Sequence, residues 1–205
     1  MIDIVNQLKA IHREVGRVPT PSGEVVSVVL RRDYDVEIGD LWEALTDPER
    51  VARWFLPLTG DLRVGGSFQL EGNAGGDVLD CRPPRLLKVT FGGPVSVVEL
   101  RLSASGGGTA LELEHTVPIE MAGSGAGALY VGPGWDGAFL ALALFFASEP
   151  DGDPIATGAT PEAQEFSRQS VQEWVAAIES SGTASAEDIA AAVEVALAQF
   201  APDQS

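Results

Sequence analysis

Few side chains in this sequence could carry chemistry, and His115 is the most prominent. It ends the run TALELEH, in which Leu111 and Leu113 alternate with charged residues. Side chains two positions apart on a strand share a face, so His115 is expected to follow these leucines inward. It is then either an acid or base within a site, or a core histidine bonded to a backbone carbonyl or a carboxylate. The second arrangement is the commoner one.

The other reactive residue types give weaker signals. Cys81 is the single cysteine, so it forms no internal disulfide, and a buried inert thiol is more common than a nucleophilic one. Glu99 breaks the apolar run SVVELRLS and is either a cavity acid or, as we expect, a solvent-facing partner of a cross-strand arginine. Two distant histidines and one cysteine predict no metal site, and nothing implies a cofactor. No serine lies in a GxSxG motif, which argues against acyl-transfer hydrolysis.

The glycine-rich stretch EGNAGGD, residues 71–77, resembles a phosphate-binding loop at first sight. Such a loop needs a helix after its glycines and usually a lysine. Here another strand-like run follows, and the two lysines, Lys9 and Lys88, lie elsewhere. We therefore interpret the stretch as a hairpin connection in which Asn73, Gly75 and Gly76 can adopt positive φ.

Composition excludes several classes of protein. The net charge is −17, from 13 Lys+Arg and 30 Asp+Glu, which argues against nucleic acid and anionic membranes as partners. The longest apolar run, 138–147, is about half a membrane span. With no signal-peptide pattern and one cysteine, the sequence predicts a cytoplasmic protein.

Periodicity predicts the elements that position these side chains. Apolar residues at Ile4, Leu8, Ile11 and Val15 indicate an amphipathic helix over the first sixteen residues. A strand from 24 to 36 and two short helices follow, the second capped by Asp47. The pattern then changes to antiparallel strands: 62–70 with a bend at its glycine pair, followed by DVLDC, LLKVTF, SVVELRLS and TALELEHTV. A helix from about 134 to 147, apolar nearly all round, follows. A helical hairpin after residue 160 completes the chain: Thr160 opens its first helix, Gly182 ends that helix, and a capping box at Ser185 opens the second.

This order and several motifs resemble the SRPBCC (START-like, helix-grip) superfamily. The motifs are LWEALTDPERVARWF, DLRVGGSFQL, GDVLDCRPP, GTALELEHTV and GWDGAFLALAL, and the most similar branch is related to the C-terminal domain of the heat-shock-protein-90 ATPase activator. The resemblance implies an α+β fold in which a curved antiparallel sheet wraps around a long C-terminal helix. It covers roughly residues 24–149, and the hairpin beyond it looks like a bacterial extension.

We accordingly predict four segments: an N-terminal helix and linker (1–20), a START-like domain (21–149), a linker (150–160), and a hairpin packed on the domain (161–205). The resemblance also implies a cavity between sheet and helix. The side chains predicted to line it are Trp54, Phe55, Phe68, Leu70, Phe91, Leu113, His115, Trp135 and Phe139. Any single aromatic among them could instead simply fill the core.

Three functions are consistent with these patterns. The first is a non-enzymatic module that binds a hydrophobic or amphipathic small molecule. The second is a chaperone-activator-like module that binds a protein through its surface. The third, less favoured, is a cyclase or hydrolase with His115 as acid or base. The hairpin is expected to be a structural cover, a lid, or a homodimer contact.

Overall fold

A computed structural model describes residues 3–147 and 160–202 of the 205-residue chain. Within these ranges the chain forms strands, α-helices and a 3-10 helix, Gly125–Tyr130. The strands are β1 (His12–Thr20), β2 (Gly23–Tyr34), β3 (Leu58–Gly60), β4 (Ser67–Leu70), β5 (Gly75–Arg82), β6 (Leu86–Thr90), β7 (Val97–Ser105) and β8 (Gly108–Pro118). The α-helices are α1 (Ile4–Lys9), α2 (Ile38–Thr46), α3 (Pro48–Val51), α4 (Ile119–Ala122), α5 (Gly132–Phe146), α6 (Pro161–Ser181) and α7 (Ala186–Phe200).

The strands form one sheet in the order β1-β2-β8-β7-β6-β5-β4-β3. Consecutive strands from β3 to β7 pair antiparallel, as expected for strands joined by short turns. The predicted α+β class and helix-grip order of elements are confirmed. No helix within the described residues is long and apolar enough to cross a bilayer.

The chain divides into two compact units. Unit one comprises Met1–Leu30, Thr116–Leu140 and Ala156–Ser205, and unit two comprises Arg31–His115 and Ala141–Ile155. The strands β2 and β8 and the helix α5 therefore each contribute residues to both units.

Unit one is organised around the helical hairpin α6–α7. Both helices contact the 3-10 helix, and α6 also packs against β1 and α1. The buried face of α6 carries Phe166, Val171, Trp174 and Ile178, each no more than 1% exposed. Sequence signals placed the hairpin correctly: Thr160 caps α6, Gly182 ends it at φ +64°, and the predicted capping box at Ser185 begins α7.

A buried polar network joins the hairpin to the rest of unit one. The carboxylate of Asp136, on α5, is fully buried and accepts hydrogen bonds from Arg13 Nε (2.9 Å), Ser170 Oγ (2.5 Å) and Trp174 Nε1 (3.1 Å). Arg13 also donates through Nη1 to the carbonyl oxygens of Leu8, in α1, and Ile11, just after α1. The network therefore connects β1, α5 and α6 through one carboxylate.

Unit two contains most of the sheet and the short helices α2 and α3. Its core comprises Leu41, Val78, Leu87, Leu102 and Leu111, all 7% exposed or less. As predicted, Asp47 begins α3, with Pro48 at its first position and the Asp47 carboxylate accepting hydrogen bonds from two backbone amides. The helix α2 packs against β7, and α3 against β3.

The prediction of one N-terminal helix over residues 1–16 was wrong. The helix α1 ends at Lys9, and residues His12–Thr20 form β1. Ile11, Arg13 and Val15 point inward with the period of a strand, but the charged Arg13 hid that alternation in the sequence. Its buried ion pair with Asp136 could not be seen from local spacing.

Two expectations about the β4 region also need correction. The predicted strand 62–70 is shorter: β4 begins at Ser67, and residues before it form a turn around Gly65 and Gly66. The stretch EGNAGGD does connect two strands, but its glycine with positive φ is Gly72 (φ +67°), whereas Gly75 and Gly76 lie within β5. The predicted linker 150–160 lies, apart from Thr160, outside the described residues.

Candidate ligand-binding site

Three of the predicted site rings form a continuous cluster in unit two. The ring of Phe91 lies 6.5 Å from that of Phe68 and 6.0 Å from the imidazole of His115, measured between centroids. The imidazole meets Phe91 edge-on, a favourable geometry for aromatic pairs. The three residues come from β4, the residue after β6, and β8, so the sheet brings together rings far apart in the sequence.

His115 is a polar group within these apolar surroundings. It is 3% exposed, and its Nε2 lies 2.7 Å from the hydroxyl oxygen of Ser96. Burial lowers the pKa of His115 from 6.5 to about 4, because the charged imidazolium would lose its hydration. At neutral pH the pair therefore consists of a neutral imidazole and a hydroxyl.

Hairpin pairing holds Ser96 in place. The backbone amide of Phe91 donates to the carbonyl of Ser96 at 2.9 Å, closing the turn between β6 and β7. Ser96 is half-buried, whereas its neighbour Val95 is 50% exposed. The serine thus lies where the exposed tip of this hairpin meets the ring cluster.

Close backbone approaches fix the neighbouring strands. Phe68 pairs with Gly76 across β4 and β5. A Cβ atom on Gly76 would lie 1.9 Å from the carbonyl oxygen of Thr90, so only glycine allows β5 to approach so closely there. The amide of Gly92 donates to the carbonyl of Gly75 at 2.9 Å, which ties the β6–β7 hairpin to the start of β5.

The remaining predicted site residues occupy several positions. Leu70 and Leu113 are buried in unit two, at 6% and 2% exposure. Trp54 donates from Nε1 to the carbonyl of Ala44 at 2.8 Å, and its ring stacks on Phe55 at 5.3 Å. Trp135 and Phe139 belong to unit one, where Phe139 is buried and Trp135 is half-buried. Whether all nine residues share one ligand stays a prediction.

Sequence reasoning did not single out Ser96, although it begins the predicted strand run SVVELRLS and shares the face of Val98, which was the available signal. The pairing that brings it to His115 depends on strand order and register, which local periodicity does not specify. Arg32 was also missed: it occupies a buried position on β2 with its guanidinium 5.3 Å from the ring centroid of Tyr34. Burial lowers the pKa of Arg32. Arg32 lies two positions before Tyr34, so the alternation of a strand would have placed both side chains on the same face.

Glu99 is part of an ion network rather than the ring cluster. Its carboxylate pairs with Lys88 on β6 (3.0 Å) and with Arg101 on its own strand (2.7 Å). Arg101 also pairs with Glu112 and Glu114 on β8. Glu99 thus has the cross-strand cation that we expected, although this partner is a lysine.

The surroundings of Cys81 do not favour a reactive thiol. Burial and the neighbouring Asp80 raise the pKa of its thiol, whereas a nucleophilic cysteine needs a lowered one. Among the described residues no three His, Cys, Asp or Glu side chains converge as metal ligands would.

Comparisons with known proteins place the fold in a family. Residues 35–146 match the family model described as Activator of Hsp90 ATPase homolog 1-like protein. The crystal structure of CalU16 from Micromonospora echinospora is 41% identical, covers 82% of this chain and 98% of its own, and has a TM-score of 0.68. Its solution structure gives 40% identity, coverage of 83% and 96%, and a TM-score of 0.69.

The solution structure of the protein encoded by BPP1335 from Bordetella parapertussis is more distant. It is 26% identical, with coverage of 72% and 84% and a TM-score of 0.53. No curated protein matches the chain. The family match spans more than half of the sequence and agrees with the resemblance noted from its motifs, so the chain belongs to the Activator of Hsp90 ATPase homolog 1-like family, within the SRPBCC superfamily.

Proposed function

We propose that this protein is a non-enzymatic module that binds a hydrophobic or amphipathic small molecule at the ring cluster of unit two. The observation that carries the proposal is the ring cluster of Phe68, Phe91 and His115, together with the hydrogen bond between His115 and the Ser96 hydroxyl. Small-molecule sites are typically apolar walls with a few placed polar groups. This cluster has that composition.

The state of His115 favours binding over catalysis. A general base works best with a pKa near the operating pH and must reach the proton that it removes. His115 has a pKa of about 4 and is 3% exposed. These properties suit an uncharged hydrogen-bonding group better than the acid or base of a cyclase or hydrolase. A cytoplasmic setting, in which the lone Cys81 stays reduced, is part of the same proposal.

Native mass spectrometry of the protein purified from cells tests this function. A bound small molecule should appear as a reproducible mass difference that organic extraction removes. Replacing Phe91 with alanine should reduce its occupancy, because the substitution removes the ring between Phe68 and His115. Leu79→Ala, at a residue 45% exposed, is the matched control and should retain the molecule. Equal occupancy in both variants would place the binding elsewhere.

A second candidate is a protein-binding module of the chaperone-activator type. The exposed side chains of Val64 (58%) and Leu79 (45%) favour it. They flank the hydrogen bonds that join Gly65 and Gly66 to Val78, so two apolar side chains lie exposed on neighbouring segments. The family description supplies the partner to test, an Hsp90-type ATPase. Stimulation of its ATP hydrolysis, lost in Val64→Ser with Leu79→Ser, would support this function.

A further inference from the structure

The polar pair in the ring cluster limits the chemistry of a ligand that binds there. Ser96 Oγ and His115 Nε2 lie 2.7 Å apart and share one hydrogen bond. A hydroxyl has one donor and two acceptor sites, and a neutral imidazole has one donor and one acceptor. After this bond forms, the serine oxygen still has capacity for another partner. Whichever group donates, a hydroxyl or carbonyl on a ligand can complement it.

The pair provides dipoles but no positive charge. Burial keeps the imidazole neutral, and a hydroxyl does not ionise at neutral pH. An anion moved from water to this pair would lose its hydration, and two neutral dipoles compensate that loss only in part. A neutral polar group loses far less on transfer and regains it through one hydrogen bond.

The net charge of the chain also disfavours an anionic ligand. A net charge of −17 produces a field that repels anions as they approach. This observation is independent of the site geometry. Meanwhile Phe91, which is half-buried, lies between Phe68 and His115 and offers an aromatic ring against which a flat apolar body can pack.

We propose that the ligand is a neutral aromatic molecule with a hydroxyl or carbonyl group that hydrogen-bonds Ser96 within the Phe68–Phe91–His115 cluster. The inference rests on the proposed function, since it specifies the ligand class of the same site. Ser96 is its specificity-determining residue, and the aromatic rings supply affinity that depends little on the polar group.

Three probes of one shape test the proposal: naphthalene, 2-naphthol and 2-naphthoate, titrated by ligand fluorescence at about pH 7. At this pH the naphthol is neutral and the naphthoate is ionised, like other phenols and carboxylic acids. One hydrogen bond should make 2-naphthol bind about 10-fold more tightly than naphthalene. The naphthoate should bind more weakly than 2-naphthol by at least about 10-fold.

Variants separate the hydrogen bond from apolar packing. Ser96→Ala should bring the dissociation constant of 2-naphthol to that of naphthalene, while naphthalene binding stays near wild type and shows that the variant is folded. Ser103→Ala, at an exposed position of β7, should leave all three constants unchanged.

Each alternative result identifies what fails. If naphthalene binds but 2-naphthol binds no more tightly, or the naphthoate binds most tightly, the ligand class is wrong while small-molecule binding stands. If Ser96→Ala weakens all three probes equally, Ser96 does not determine specificity. If no probe binds to the wild type, the inference is overturned, whereas the proposed function fails only if native mass spectrometry also finds no bound molecule.

Discussion

The imidazole of His115 is almost entirely enclosed, and its protonation is therefore coupled to unfolding. Its pKa is 6.5 in an ordinary environment and about 4 in the folded chain. The unfolded chain binds the proton first, so this contribution to stability is present above pH 6.5 and is lost as the pH falls toward 4. The shift corresponds to roughly 3 kcal/mol at most.

We predict that the ring resonances of His115 titrate with a midpoint near pH 4, or remain those of neutral imidazole until the protein unfolds. His115→Gln should flatten the decline in unfolding free energy between pH 6.5 and 4. NMR titration and urea unfolding measure these two effects. A titration midpoint at or above pH 6 would show that the imidazole is hydrated.

Asp136 is the other buried titratable group of consequence, and its effect has the opposite sign. Burial raises its pKa from 3.8 to about 6, although Arg13 and the hydrogen bonds from Ser170 and Trp174 oppose that shift. The folded state thus binds the proton more tightly than the unfolded chain does. The resulting contribution to stability is complete below pH 3.8 and is lost as the pH rises through about 6.

The wild type should therefore gain roughly 2–3 kcal/mol of unfolding free energy relative to Asp136→Asn between pH 7 and pH 4. Taking the difference between the two proteins cancels the contribution of His115. Urea unfolding at several pH values measures it. Glu173→Gln, at an exposed carboxylate on α6, should stay within about 0.5 kcal/mol of the wild type. A difference that is constant with pH would mean that Asp136 is ionised throughout the range.

At the scale of elements, two of the three glycines of α5 have very different surroundings. A Cβ atom on Gly132 would lie 2.4 Å from the indole of Trp174, whereas one on Gly137 would meet nothing within 4 Å. Gly132 thus allows α5 to lie directly against α6. Gly137 has no such role and carries the usual cost of glycine within a helix.

We predict opposite effects from the same substitution. Gly132→Ala should destabilise the protein by about 1–3 kcal/mol, because it forces the Trp174 ring away from its position. Gly137→Ala should stabilise it by up to about 1 kcal/mol, because alanine favours the helix. Thermal unfolding and amide hydrogen exchange of α6 measure both. Equal effects of the two substitutions would show that Trp174 can move without cost.

At the scale of the whole molecule, the role of the C-terminal hairpin is the open structural question. Within unit one, α6 supplies two of the donors to Asp136 and buries Phe166 and Trp174 completely. Loss of the hairpin would leave the buried carboxylate without two of its hydrogen-bond donors and would expose the surface beneath these side chains. Both changes cost folding free energy. These contacts indicate a structural cover.

Deleting residues 161–205 should accordingly give insoluble protein, or protein that binds hydrophobic dyes strongly and unfolds without cooperativity. Expression in the soluble fraction, dye fluorescence and thermal unfolding measure this. As a milder companion, Trp174→Phe removes one donor and should keep the protein soluble. A soluble, cooperatively folded deletion variant that exchanges ligand faster would instead identify the hairpin as a lid.

The sequence alone determined the elements whose signals are local. These signals include the N-caps at Asp47 and Ser185, the left-handed Gly182 and the alternation that turns His115 inward. Each of them depends on residues within a few positions of each other. These short-range signals, together with the motifs of the family, were sufficient for the α+β class and the general helix-grip order, although they assigned β1 to a helix.

Tertiary structure decided what depends on contacts between distant residues. It placed residues 12–20 in a strand beside β2, on which Arg13 meets a buried carboxylate 123 positions away. It brought Ser96 to His115 and left room for only glycine at position 76. These contacts come from residues far apart in the sequence. They stabilise a buried charge, on Arg13, that local periodicity alone would place in solvent, and they hydrogen-bond the hydroxyl of Ser96 to a buried imidazole.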